Sequence, residues 1–295
     1  MNIKAMKKTI TIYGRMIKFS HTIFALPFAM SAVVMAWRDH PPGTWDIIWI
    51  VTAMVAARSA AMGFNRIIDA DIDAANPRTA MREIPLGVLS TRDAALFVAG
   101  SSALFIFAAA MLGTLCFILS FPVLFLLLFY SLTKRFTPYC HIYLGFVISL
   151  APAGAWIAVT GTLSWSVIFL TLALMTYIAG FDILYSCQDT EFDQDKGLFS
   201  LPAAIGVTRA MIVSSLLHLA TFIFLVIMHF TFNMHPVFLP FTAIIGGLLV
   251  AEHRMVSPNN LEKIDMAFFH INSLISIVLF TGILTEAFVT AMTTG

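Results

Sequence analysis

A chain of 295 residues that is 59% hydrophobic and only 11% charged, with a mean hydropathy of +0.90, is too apolar to be a soluble domain of ordinary composition. Its formal net charge of +1 excludes little, because the total hides where the charges lie. Cys116, Cys140 and Cys187 are scattered without the paired spacing of a metal knuckle or a redox dithiol, and they read as reduced thiols.

From Met1 to Lys18 the chain is basic, and about twenty apolar residues follow, long enough for an uncleaved first spanning helix. Apolar runs of bilayer-crossing length predict nine spans, centred near Ala29, Val55, Phe105, Phe125, Leu150, Leu172, Phe224, Ile245 and Ile277. The eighth, Pro236 to Ala251, is short and holds Gly246 and Gly247. The third and fourth should form a tight hairpin about Gly113. Only helices suit these runs, since unpaired backbone groups are too costly in lipid.

Basic residues alternate along this pattern. Lys4, Lys7, Lys8, Arg15 and Lys18 precede the first span; Arg66, Arg78, Arg82 and Arg92 follow the second; Lys134 and Arg135 follow the fourth. Lys196 and Arg209 follow the sixth, and Arg254 and Lys263 the eighth, whereas the intervening loops hold little beyond Arg38. By the positive-inside rule the N-terminus and the even-to-odd loops face the cytoplasm and Gly295 lies outside. The expected fold is therefore an all-α, multi-pass protein of the cell (inner or plasma) membrane.

The loops after spans two and six are acidic as well as basic, and they look alike. Asn65, Asp69 and Asp73 recur every four residues, followed by Arg78, Arg82 and Pro85; Asp182, Asp189 and Asp193 are followed by Lys196 and Pro202. The spacing reads as a pseudo-symmetric pair of half-sites. On continuous helices the oxygen-bearing side chains of Asn65, Asp69 and Asp73, and those of Asp189 and Asp193, project from one face, at the wetted end of the span. Such carboxylates repel unless a cation lies between them, and hard oxygen donors favour magnesium. Magnesium takes few protein carboxylates and completes its shell with water and phosphate, so two clusters suggest two ions on one diphosphate. Arg78, Arg82, Lys134, Arg135 and Lys196 would then neutralise the remaining phosphate charge. Asp71, Glu83, Glu191 and Asp195 fall off the spacing and read as solubilising charges.

Deeper in the spans lie Arg58 and Asp182. Their desolvation makes them functional candidates, the alternative being a buried ion pair between the two. Arg58 precedes Asn65 and Asp69 by the same two intervals that separate Asp182 from Asp189 and Asp193. At that depth an arginine can pair with a carboxylate and an aspartate can accept a hydroxyl proton. No role is assigned to His21 or His218.

These motifs resemble those of the UbiA superfamily of intramembrane prenyltransferases. The first aspartate-rich motif is matched by Asn65-x3-Asp69-x3-Asp73, Arg78-Thr79, Arg82, Pro85 and Gly87, with Glu83-Ile84 departing from the usual stretch; the second is matched by Asp182 through Asp189-x3-Asp193, Gly197 and Ser200. Weaker echoes at Lys134-Arg135-Phe136-Thr137 and at Phe268-Phe269 with Asn272 extend the resemblance over nearly the whole chain, 1–295, as one domain. It implies a nine-helix bundle around a central cavity, magnesium-assisted departure of diphosphate from a polyprenyl diphosphate, and attack by an aromatic ring. By position, Asn65, Asp69, Asp73, Asp189 and Asp193 would bind magnesium–diphosphate; Asp182, Asp189 and Arg58 would take part in catalysis, with Arg58 expected to hold the acceptor's carboxylate and Asp182 to orient or deprotonate its hydroxyl. Phe19 to Phe24 and Tyr185 to Asp189 resemble the bacterial 4-hydroxybenzoate polyprenyltransferases of quinone (ubiquinone or menaquinone) synthesis. Some relatives serve a futalosine route with a naphthoate acceptor. The expected partners are thus a polyprenyl diphosphate, an aromatic acid and the bilayer, with no nucleic acid. A secondary transporter would use similar pseudo-equivalent charges, but these aspartates sit at helix ends, away from the midplane.

Overall fold

The computed structural model describes residues 3–18, 25–256, 261, 264 and 267–294, and among these the regular elements are all helical. Phe19 to Phe24, with His21, and also Lys263 and Gly295 lie outside the described residues, as do the side chains of Lys4, Lys7, Lys8 and Phe268. In chain order the elements are α1 (Ile3–Met16), α2 (Leu26–Ala36), α3 (Thr44–Ile68), α4 (Ala70–Ala75), α5 (Thr91–Met111), α6 (Thr114–Thr133), α7 (Cys140–Thr160) and α8 (Trp165–Ser186). A 3-10 turn (Cys187–Asp189) leads to α9 (Thr190–Asp195), α10 (Leu201–Ile205), α11 (Val207–Thr231) and α12 (Phe238–Met255); a π turn (Ala267–Ile271) enters α13 (Asn272–Thr294).

Seven helical stretches among the described residues are long and apolar enough to cross a membrane: α3, α5, α6, α7, Val167–Asp195, α11 and Phe269–Thr293. The two remaining expected spans are different in kind. Over its described part α2 is an apolar helix of 11 residues, and α12 ends in Glu252, His253 and Arg254, which lower its apolar content.

The chain divides into two compact units. The first comprises Met1–Thr22 and Ile48–Leu132. In it α3 and α5 approach closely: a Cβ on Gly63 would lie 2.8 Å from the Val98 side chain, and Ala53, Ala56, Phe105 and Ala108 form a buried seam. Small residues let backbones approach where lipid supplies no hydrophobic drive between helices. The end of α1 docks through Met16 and Ile17 onto Leu89 and Ala94, and Tyr13 stacks on Phe97 at 4.9 Å. Ser90 caps α5, accepting from Asp93 N at 3.0 Å and donating to its carboxylate at 2.7 Å. The expected hairpin is present: only Leu112 and Gly113 join α5 to α6, with Gly113 at φ +124°.

The second unit comprises Ile23–Ile47 and Thr133–Gly295. Its centre is α8, packed between α7 and α11. A Cβ at Gly145 would strike the Met175 carbonyl oxygen, and one at Gly180 the His218 ring. Both glycines are therefore required by close crossing. Several buried polar groups are paired across helices. Tyr177 donates to Asn272 Oδ1 at 2.8 Å, Asn272 Nδ2 donates to Glu252 at 3.2 Å, and Ser214 donates to the Gly180 carbonyl at 2.6 Å. In a bundle core each such bond avoids leaving a polar atom in hydrocarbon. At one end of this unit Glu286, only 2% exposed, accepts from Arg38 at 3.3 Å, from the His235 amide at 2.9 Å and from Thr290 at 2.9 Å.

Candidate active site

In the first unit, α3 does not run straight through its acidic motif. Asp69 stands between α3 and α4 at φ −94°, ψ 8°, in the sparsely used bridge region. In the second unit Asp189 stands before α9 at φ −101°, ψ 5°. The continuous helices expected from the spacing are thus both broken at the middle aspartate, and each break is followed by a six-residue helix carrying the next aspartate. The internal repeat extends to the backbone.

The break gathers the first motif. Asn65 Nδ2 donates to Asp69 Oδ2 at 2.8 Å, and Asp73 N donates to the Asp69 carbonyl at 2.7 Å. Arg82 Nη1 lies 2.6 Å from Asp73 Oδ1 and 2.7 Å from Oδ2. Thr79 donates to the Asp73 carbonyl at 3.0 Å. Asp69 and Asp73 are each 3% exposed, so for these two the expectation of carboxylates at a wetted helix end is corrected, whereas Asp189 and Asp193 are half-buried. Folding of the loop 76–89 over α4 buries Asp69 and Asp73. Arg78 is exposed, with its amide bound to Asn76 Oδ1 at 2.9 Å.

Arg66, read from sequence only as a topology-setting charge, is buried within this motif. Its Nε donates to the Met16 carbonyl at 3.1 Å, and Nη1 reaches Asn65 Oδ1 at 3.4 Å and Asp73 Oδ2 at 4.0 Å. It ties the C-terminus of α1 to the acidic cluster. Arg58, two turns deeper in α3, is half-buried, and its buried Nε has no hydrogen-bond partner among the described residues.

In the second unit, Asp193 is bonded by the Ser200 hydroxyl and feels the charges of Asp189 and Lys134. Gly197, at φ +65°, closes α9 in a left-handed cap, with Leu198 N donating to the Asp193 carbonyl at 2.8 Å. The segment that follows is tied back to Lys134, whose carbonyl accepts from Phe199 N at 2.7 Å. Arg135 is half-buried beside it, and Lys196 is exposed at the end of α9. Asp182 lies on α8 with His141 Nδ1 2.7 Å from its Oδ2. His141, at the start of α7, carries no motif and was not anticipated; its single signal is a polar side chain at the mouth of an apolar span. Asp182 thus has His141 as a hydrogen-bond partner.

The donor set suits magnesium in kind, being entirely oxygen. Among the described residues no three His, Cys, Asp or Glu side chains converge as a ready metal cage.

An all-helical membrane protein with two acidic motifs at matching helix breaks defines the class: an intramembrane enzyme built from a repeated acidic half-site. The family model described as the UbiA prenyltransferase family matches residues 25–274, and this chain belongs to that family. A 4-hydroxybenzoate octaprenyltransferase of Nitrosospira multiformis is 30% identical over 248 residues, covering 83% of this chain and 84% of that protein. One of Nitrosomonas eutropha is 26% identical over 280 residues, covering 94% and 97%. Among solved structures, an apo UbiA homolog from Aeropyrum pernix K1 is similar with a TM-score of 0.82 and 32% identity, covering 90% of this chain and 98% of that one. A UbiA homolog from Archaeoglobus fulgidus bound to GPP and Mg2+ shares the fold with a TM-score of 0.67 at 20% identity, over 92% and 99%.

Proposed function

We propose that this prenyltransferase moves a polyprenyl group from polyprenyl diphosphate to the ring of an aromatic acid, 4-hydroxybenzoate, in quinone biosynthesis at the cell membrane. The observation that carries the reading is the repeated acidic motif, Asp69 and Asp189 at equivalent backbone breaks with Asp73 and Asp193 one turn on. The names of the octaprenyltransferase relatives support the acceptor, and the Archaeoglobus fulgidus homolog with GPP and Mg2+ supports the donor and the metal.

In this reading Asn65, Asp69 and Asp73 in one motif, and Asp189 and Asp193 in the other, bind magnesium–diphosphate. Magnesium, when bound, offsets the charge of the departing diphosphate. Arg82 holds Asp73 in place and, with Arg78, Lys134, Arg135 and Lys196, supplies positive charge for phosphate oxygens. As the C1–O bond of the donor breaks, a ring carbon of the acceptor bonds to C1 and the ring loses its proton. Asp182 accepts a hydrogen bond from the acceptor hydroxyl, which pushes electron density into the ring. Arg58 is assigned to the negative charge of a substrate, for which its partnerless Nε is prepared. The basic residues clustered beside both motifs support a cytoplasmic orientation for them.

The test is direct. Purified protein with magnesium and a polyprenyl diphosphate should prenylate 4-hydroxybenzoate and release pyrophosphate only when the acceptor is present. Product from a naphthoate alone would reassign the acceptor; no product from any phenolic or naphthoic acid would remove the reading.

A further inference from the structure

His141 touches two things that the reaction needs held. On one side its Nδ1 is 2.7 Å from Asp182 Oδ2. On the other, the Leu201 amide lies 3.3 Å from its Nε2. An amide can only donate, so Nε2 accepts, and the ring proton must then sit on Nδ1, where it donates to the aspartate. The tautomer is therefore fixed by the backbone.

The Leu201 amide belongs to a short, tightly held segment. Ser200, just before it, caps α10 by accepting from Ala203 N at 3.4 Å, and the segment is tied to the second motif by Leu198 N donating to the Asp193 carbonyl at 2.8 Å and Gln194 Nε2 donating to the Ala203 carbonyl at 3.0 Å. Phe199 N donates to the Lys134 carbonyl at 2.7 Å, and the Cys140 thiol points at the Phe199 carbonyl at 3.6 Å. From Asp182 through His141 to Leu201, and from the 198–203 segment back to the Asp193 carbonyl and Gln194, the contacts are continuous. One imidazole joins the aspartate deep on α8 to the acidic motif that follows it.

The geometry points to His141 as a positioning residue that sets two substrate contacts at once: through Nδ1–H it turns Asp182 toward the acceptor hydroxyl, and through Nε2 it holds the segment that fixes Asp193 for the diphosphate. The substrate roles rest on the function proposed above. The tautomer does not.

Two near-isosteric variants separate the halves. An asparagine amide comes close to the imidazole Nδ1 and a glutamine side-chain end close to Nε2. His141→Asn therefore keeps a donor for Asp182 and loses the acceptor for Leu201, whereas His141→Gln does the reverse. With the full-length protein, magnesium, geranyl diphosphate and 4-hydroxybenzoate, His141→Gln should raise the acceptor KM by about tenfold or more, as loss of a charge-assisted hydrogen bond implies. Its KM for geranyl diphosphate should stay within about twofold, and His141→Asn should show the opposite split. Loss of packing alone would move both constants together in both variants, and that result overturns the inference. A second readout does not depend on turnover: in 15N-histidine-labelled protein, the resonances absent from His141→Gln should show a protonated Nδ1 and an unprotonated Nε2. A protonated Nε2 overturns the inference even if the crossed kinetics are seen. If the wild type prenylates no acid while the Nδ1–H tautomer is present, the proposed acceptor fails and the tautomer stands.

Discussion

Arg82 Nη1 sits within 2.7 Å of both carboxylate oxygens of Asp73, nine residues before it in the chain. The aspartate is almost fully enclosed and the arginine about one-fifth exposed. Arg82→Ala would leave a buried carboxylate with only Arg66, 4.0 Å away, as counter-charge, and is expected to cost about 2–3 kcal/mol of stability. A fall in the thermal midpoint of the detergent-solubilised protein, with partial recovery in Arg82→Lys, is the expected pattern. An unchanged midpoint in Arg82→Ala would show that the pair holds nothing.

Removing the metal tests the acidic motifs as a set. Chelation should abolish turnover and added magnesium should restore it. Asp69→Asn and Asp189→Asn should each lower turnover by roughly a hundredfold or more. Asp69 is buried and bonded to Asn65, so the folded fraction of that variant must be measured alongside. Full activity in chelator would refute the magnesium reading.

Sidedness can be read with cysteines. Ala74, Gln194 and Thr44 are exposed positions. Asn76 is buried and a poor labelling site. Cysteines at Ala74 and Gln194 should react with an impermeant maleimide from the cytoplasmic side, and one at Thr44 from the other. Labelling of the first two from opposite sides would break the proposed orientation.

Glu286 offers a prediction away from the chemistry. It gathers Arg38, the His235 amide and Thr290 on one carboxylate oxygen, so Glu286→Ala should lower the thermal midpoint by several degrees, equivalent to about 2 kcal/mol or more. The KM for geranyl diphosphate should not change. A change in that constant with no loss of stability would give Glu286 a part in substrate binding.

What could be read from sequence was local. The four-residue spacing of Asn65, Asp69 and Asp73, the Gly113 hairpin and the long apolar runs are all encoded within a few turns of helix. The breaks at Asp69 and Asp189 were hidden because neither glycine nor proline marks them. His141 could not be assigned because its partner lies 41 residues away, and Arg66 reaches a carbonyl 50 residues back. A charge at a membrane edge looks the same in sequence whether it sets topology or braces a site. The polar end of α12 shows a similar limit, since buried partners such as Asn272 let Glu252 replace apolar residues in the helix.

The second unit is interrupted in sequence: Ile23–Ile47 belongs to it, and the chain then builds the other unit before returning at Thr133. During synthesis α2 must therefore wait for roughly a hundred residues before its neighbour α7 emerges, on the order of ten seconds at ordinary elongation rates. Its partner α13 comes last of all. Through that interval α2 is an apolar helix without its docking surface, with Ser31 facing lipid or a chaperone instead of the bundle interior where it finally sits. The unit that carries the second acidic motif is thus the slower of the two to assemble, and a ribosome stalled after α6 should release a chain whose first unit is formed and whose α2 is still open to capture by the insertion machinery.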